Sequence, residues 1–196
     1  MQADLAALVG SRICHDLISP IGAISNGVEL MSLTDNTAGE EMALIQQSVN
    51  SAAARIKFFR IAYGAATAGQ TTQKAEIKQI LDGLSAGGRV AYDWHLEDDQ
   101  DRPLVRCIFL LLQAVETALP LGGQITVSAT GKTIVITATG RRIAFDPSLW
   151  DGLNRRSEPQ THSAALVQFA LLPDIIGAID RRVRASADDT RLRVEL

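Results

Sequence analysis

Cysteine is scarce in this 196-residue chain: Cys14 and Cys107 are the two, far apart and without metal-ligand spacing. That argues against a disulfide scaffold or a thiolate metal site and suits reduced thiols in a cytoplasmic protein. Long apolar runs are missing too. The longest, 107–112, falls far short of the roughly 18 residues that a membrane span needs. The first residues show no basic segment followed by an apolar core, so no secretion signal is expected. Positive charge is not in excess: 19 Lys and Arg against 22 Asp and Glu give a net charge of −3. The global electrostatic case for nucleic acid is thereby removed. What is present, 46% hydrophobic and 21% charged residues, is the composition of an ordinary globular chain with room for one domain or two small ones.

Proline is nearly absent from residues 1–68, where Pro20 stands alone. In that stretch Ile13, Leu17, Ile21, Ile24, Val28 and Met31 recur at helical spacing. At about 100° per residue they fall within an arc of roughly 80°, which predicts a helix over 4–33. The turn and cap residues of "TDNTAGE" end it. A second stripe, Met42, Ile45, Val49, Ala52, Ile56, Phe59 and Tyr63, predicts a helix from about 40 to 66. The two make an antiparallel hairpin that cannot bury both stripes alone, so a homodimer closing a four-helix bundle is expected. Phe58, well off the stripe, is expected to meet the C-terminal part.

Residues 69–76 read as a linker between a helical domain, 1–68, and a second domain, 77–196. The second is expected to hold a short helix over 77–84, a strand over 89–96, and an apolar helix over 103–119 opened by proline and closed by "PLGG". Strands over 124–130 and 133–139 should form a hairpin at Gly131-Lys132. A loop over 140–160, a helix over 161–176 and strands in "IDRRVRAS" and "TRLRVEL" complete an α+β sandwich, helices on one face of a largely antiparallel sheet.

The chemistry concentrates in "SRICHDLISPIGAI". On the helical wheel His15 points away from the apolar stripe, onto a face holding Ser11, Ser19, Gly22 and Asn26, with Arg12 and Asp16 at its flanks. Most exposed histidines have no task. Pro20, however, removes the helical bond to the Asp16 carbonyl, a penalty of about 3 kcal/mol that is commonest where backbone geometry serves a site. The same face is short of long charged side chains, which suits close approach by another protein. An imidazole with an ordinary pKa of about 6.5 is a competent nucleophile near neutral pH, and Asp16 is placed to orient it or take its proton. Cys14 projects about 100° away from His15, so no Cys–His dyad is expected.

"CHDLISPIGAI" resembles the H-box of two-component histidine kinases, in which the phosphoaccepting His is followed by an acidic residue and, five residues on, by proline. The C-terminal pattern resembles their ATP-binding domain, the GHKL or Bergerat fold. The whole chain is similar to the ChpT-like histidine phosphotransferases of alphaproteobacteria. That resemblance implies an N-terminal dimerisation hairpin and a degenerate GHKL domain. Three departures from the kinase pattern imply that ATP is not bound: Ala114 where a kinase carries its Mg²⁺-holding Asn, Ala138 before Gly140 and Arg142 where an acidic residue reads adenine, and no glycine in "THSAALVQ".

The function so implied is a phosphorelay step. His15 accepts a phosphoryl group from the receiver domain of a hybrid kinase and passes it to a response regulator, which the resemblance makes similar to the cell-cycle regulator CtrA. No cofactor is expected on this chain, since the receiver carries its own Mg²⁺. The resemblance gives Ser19 a role in positioning water. Ser11, Arg12, Gly22 and Asn26 are expected to dock the receiver, and Arg182, Arg184, Arg191 and Arg193, at alternating strand positions, could extend that surface. Two other readings stand beside this one: an active GHKL-class kinase, and a non-catalytic protein that sequesters response regulators. No nucleic acid or membrane partner is expected.

Overall fold

Helix α1 (Leu5–Leu33) opens on Asp4, whose Oδ1 accepts from the Ala6 N–H at 3.0 Å and so caps the first turn. It runs unbroken through Pro20, which is buried, and lies against α2 (Ala38–Ala62). Gly27 sets the closeness of that packing, because a Cβ there would stand 2.6 Å from Ile45 Cγ1. These are elements of a computed structural model that describes residues 4–33, 38–154 and 163–196.

The C-terminal part begins with β1 (Thr71–Thr72) and α3 (Lys74–Ser85). Strand β2 (Val90–Trp94), the short β3 (Gln100–Asp101) and α4 (Arg102–Thr117) follow, then the hairpin β4 (Gly123–Thr130) and β5 (Thr133–Thr139). A short helix α5 (Pro147–Asp151), α6 (Val167–Ala178), β6 (Arg184–Ala187) and β7 (Arg191–Glu195) complete it. The main sheet has the order β2-β4-β5-β7-β6, with β2 and β4 parallel and the remaining pairs antiparallel. Alternation fixes its two faces. Ile125, Val127, Ile136, Ala138, Leu192 and Val194 point into the core, and the paired register sets them side by side.

Helix α4 is buried almost all round: of Val105–Val115, only Arg106 is not buried. A helix apolar on every side needs cover on every side. The sheet covers one, and α6 and the end of α2 cover the others. Phe58, Phe59, Ile61 and Ala62 of α2 therefore belong to the same core as the sheet, and Phe58 stacks on Phe109 at 4.6 Å with 11° between the rings. The expected contact of Phe58 with the C-terminal part is present.

Several expectations need revision. Residues 69–76 are not a free linker: Thr71–Thr72 pairs antiparallel with Gln100–Asp101, Thr72 is buried, and Lys74 already opens α3. Short polar β-bridges of this kind leave no alternating apolar signal. The loop over 140–160 contains α5, capped by the Asp146 carboxylate accepting from the Ser148 N–H at 3.0 Å, with Pro147 at the first turn. The last helix starts at Val167 after a 3₁₀ turn, Ala164–Leu166; Thr161 lies outside the described residues. The apolar stripes behave as expected of a hairpin that cannot bury both alone: Ile21 and Val28 of α1 are exposed, as are Met42, Val49 and Ile56 of α2.

Candidate functional site

The His15 side chain is 84% exposed, on the helix face the wheel assigned to it. Its Nδ1 lies 3.1 Å from Asp16 Oδ1, so with the proton on Nδ1 the ring donates to the carboxylate and leaves Nε2 unengaged. Asp16 is only 11% exposed and is held from its other side: its Oδ2 stands 3.0 Å from Arg12 Nε, one helical turn back. The Arg12 Nη1 donates to the Ala165 carbonyl at 3.2 Å, which ties this trio to the 3₁₀ turn before α6. A chain of contacts thus runs from the C-terminal part, through Arg12 and Asp16, to the imidazole.

Behind the trio the hairpin is bolted to α4. The Tyr63 hydroxyl donates to Gln113 Oε1 at 2.9 Å, and burial pushes the phenol up to about 12, partly opposed by the nearby Arg12 charge. The hydroxyl therefore keeps its proton, and its donor role, at any physiological pH. Tyr92, on β2, is pushed well above its ordinary value first by burial and next by the charge of Glu116.

Between hairpin and sheet domain lies a cleft of about 420 Å³. Arg12, His15, Asp16 and Ser19 form its α1 side, Arg55, Phe58 and Phe59 its α2 side. The segment Gly87–Val90, with Tyr92, Gln113 and Glu116, forms the opposite wall. Sequence reasoning placed His15, Asp16, Arg12 and Ser19 correctly together. It missed Arg55, Arg89 and Glu116. Arg55 sits one turn before Phe58 and Phe59, so the off-stripe phenylalanine was the one available signal of a second working face on α2.

Other expected residues are placed apart. Ser11 and Asn26 are exposed and Gly22 half-buried along α1, outside the cleft lining. Arg184, Arg191 and Arg193 are exposed on β6 and β7, on the sheet face opposite that of Leu192 and Val194, and Arg182 is exposed just before β6. Since the helices pack on the Leu192 side, these arginines turn away from the His15 cleft of their own chain. Arg193 is moreover engaged by Glu195, two residues on, at 2.8 Å. Cys14 is exposed and Cys107 buried, and both are free thiols.

Ala114 and Ala138 have no exposed surface and face the core, so neither position offers a polar group to a metal or a base. Gly140 packs against Leu119 closely enough that a Cβ there would stand 2.8 Å from Leu119 Cδ2. Residues 163–168, leading into α6, bring no glycine for backbone approach to phosphate; Thr161 and His162 lie outside the described residues.

Comparison with known proteins points the same way as the geometry. Residues 74–191 match the family model described as the histidine phosphotransferase C-terminal domain. The chain is 34% identical to the protein phosphotransferase ChpT of Brucella abortus (strain 2308), over 95% of this chain and 92% of that one. It superposes on a bacterial phosphotransferase structure with a TM-score of 0.76 at 28% identity, covering all of this chain and 96% of the other. An exposed histidine on the N-terminal hairpin, braced from the C-terminal part, is thus accounted for: the chain belongs to the histidine phosphotransferase family.

Proposed function

We propose that His15 is the residue that carries the phosphoryl group in this phosphotransferase, accepting it from the aspartyl phosphate of a receiver domain and giving it to a second regulator. The observation that carries this reading is the imidazole itself: exposed, with Nδ1 engaged by a carboxylate that is braced by Arg12, and Nε2 unobstructed. Transfer breaks the bond between phosphorus and the receiver's carboxylate oxygen, which leaves with the electron pair, and forms a bond from phosphorus to Nε2. Nδ1 keeps its proton. The positive charge that develops on the ring is offset by Asp16, whose orientation Arg12 fixes. The onward step reverses these bonds on the second regulator.

Metal stabilisation of the phosphoryl oxygens is supplied by the receiver in this reading, and the chain acts without ATP. The enclosed alanines at positions 114 and 138 support that view. A homodimer is supported by the apolar side chains that the lone hairpin leaves in solvent, among them Ile18 at 69% exposure. The receiver docks on the open face of α1 around His15, with Ser11, Ser19, Gly22 and Asn26 permitting close approach. Ser19, which also lines the cleft, is placed to position water.

The decisive experiment mixes the protein with a phosphorylated receiver and follows acid-labile, alkali-stable label. Wild type is expected to take up label and His15→Ala none. Equal labelling of His15→Ala, or an unlabelled wild type, overturns the assignment. Calorimetry with Mg-ATP is expected to give no binding heat; a saturable signal would restore the kinase reading.

A further inference from the structure

Arg55 stands out among the charged groups of the cleft. Arg12 is committed to Asp16 and Ala165, and Arg89 donates through Nη1 to the Pro120 carbonyl at 2.9 Å. Glu116 faces the Tyr92 hydroxyl. The Arg55 guanidinium, by contrast, has no carboxylate within 4.0 Å and no hydrogen-bond acceptor among the described residues, although its Nε is buried. Arg55 as a whole is half-buried, so its enclosed Nε lacks a partner while the rest of the guanidinium is left open to an acceptor that enters the cleft. Phe58, Phe59 and Leu84 line the same space. His15 borders that space.

We propose that the cleft is a cradle for the phosphoryl group while it rides on His15, with Arg55 as the positioning residue that meets its oxygens. The proposal rests on the assignment of His15 as carrier and adds a second, oxyanion-binding role for the wall of the cleft. A phosphoryl group brings three strong acceptors to a planar fork of donors, the pairing for which a guanidinium is suited and an ammonium less so. Arg12 and Arg89 add positive potential, while Asp16, Glu116 and the neutral Tyr92 limit it. The bound group is thus held between transfers without a metal on this chain, and no bond is made or broken by Arg55.

The test uses the full chain, loaded from a phosphorylated receiver and, in parallel, from phosphoramidate, a small phosphoryl donor. Phosphorus NMR then follows phospho-His15 between about pH 5 and 9, across the titration of the Nδ1 proton of the phosphorylated ring, which the phosphorus shift reports. A cation held beside the phosphoryl group disfavours the protonated, positive ring, so the midpoint in wild type should lie at least about half a unit below that of Arg55→Gln, with Arg55→Lys in between. Superimposable shifts and midpoints in wild type and Arg55→Gln overturn the cradle, also where receiver transfer slows, since Arg55 then serves the docking surface instead. Label on His15 from phosphoramidate alone, with the midpoints separated, keeps the cradle and removes the relay reading. No label on His15 from either donor removes both.

Discussion

At the scale of single residues, the site is a relay of restraints ending on one free nitrogen. Asp16→Ala leaves the nucleophile in place but frees the ring to rotate and removes the carboxylate that offsets its charge. Transfer from a receiver is expected to slow by about 10- to 100-fold, with label still confined to His15. Rapid-quench labelling checks it, and an unchanged rate would separate Asp16 from the chemistry. Tyr63 gives a second prediction, in stability. Its folded-state pKa, raised to about 12, lies above the unfolded value of about 10. The folded state thus prefers the neutral phenol, a preference fully present below pH 10 and lost as pH rises toward 12. Denaturation midpoints should fall across that window, and Tyr63→Phe should flatten the fall in part, Tyr92 contributing the remainder. At neutral pH the same substitution leaves the Gln113 carbonyl without its donor and should cost about 1 kcal/mol.

At the scale of elements, the joint between hairpin and sheet domain is made of close contacts rather than a tether. Phe58→Ala removes the ring that stacks on Phe109 and should cost about 3–4 kcal/mol in denaturant titration. Gly83 lets α3 approach α2 so nearly that a Cβ would stand 2.7 Å from Ala54 Cβ. Gly83→Val should force the two helices apart and lower the melting temperature, whereas Gly10→Ala, with open space around it, should not. The elements themselves were legible in the sequence wherever a period of 3.6 or 2 persisted: both hairpin helices, α4 and the β4–β5 turn at Gly131, which has φ +61°. What escaped was short or polar. The bridge at Thr71–Thr72 and the helix at Pro147–Asp151 span too few residues for periodicity to register, although the Asp-Pro pair before Ser148 was a usable cap signal.

At the scale of the whole molecule, the exposed apolar residues mark what the lone chain leaves unfinished. Ile18, Ile21 and Val28 on α1 follow a three-and-seven spacing, and Met42, Val49 and Ile56 on α2 recur every seven residues. A single hairpin buries only the part of each stripe that faces its own partner helix and α4, which is the shortfall the two stripes implied from the outset. Ile21→Glu combined with Val49→Glu is expected to give a folded monomer in sedimentation analysis; a dimer that survives both charges would move the interface elsewhere. The half of the site carried by α1 was legible because one helix repeats its faces regularly. Its far wall was not, since Arg89, Tyr92 and Glu116 meet His15 only through tertiary packing.

The encirclement of α4 bears on how this protein can be taken apart or recombined. Its outward-facing aromatic, Phe109, is covered by a residue that lies 51 positions earlier, in the other half of the chain. A gene cut at residue 68 would leave that ring and its neighbours bare, yielding a fragment prone to aggregate. A chimera of two relatives would likewise have to exchange the end of α2 together with α4. The unit that can be inherited or engineered as one piece is therefore the lock between those two helices, and it straddles the boundary at which the chain reads as divided.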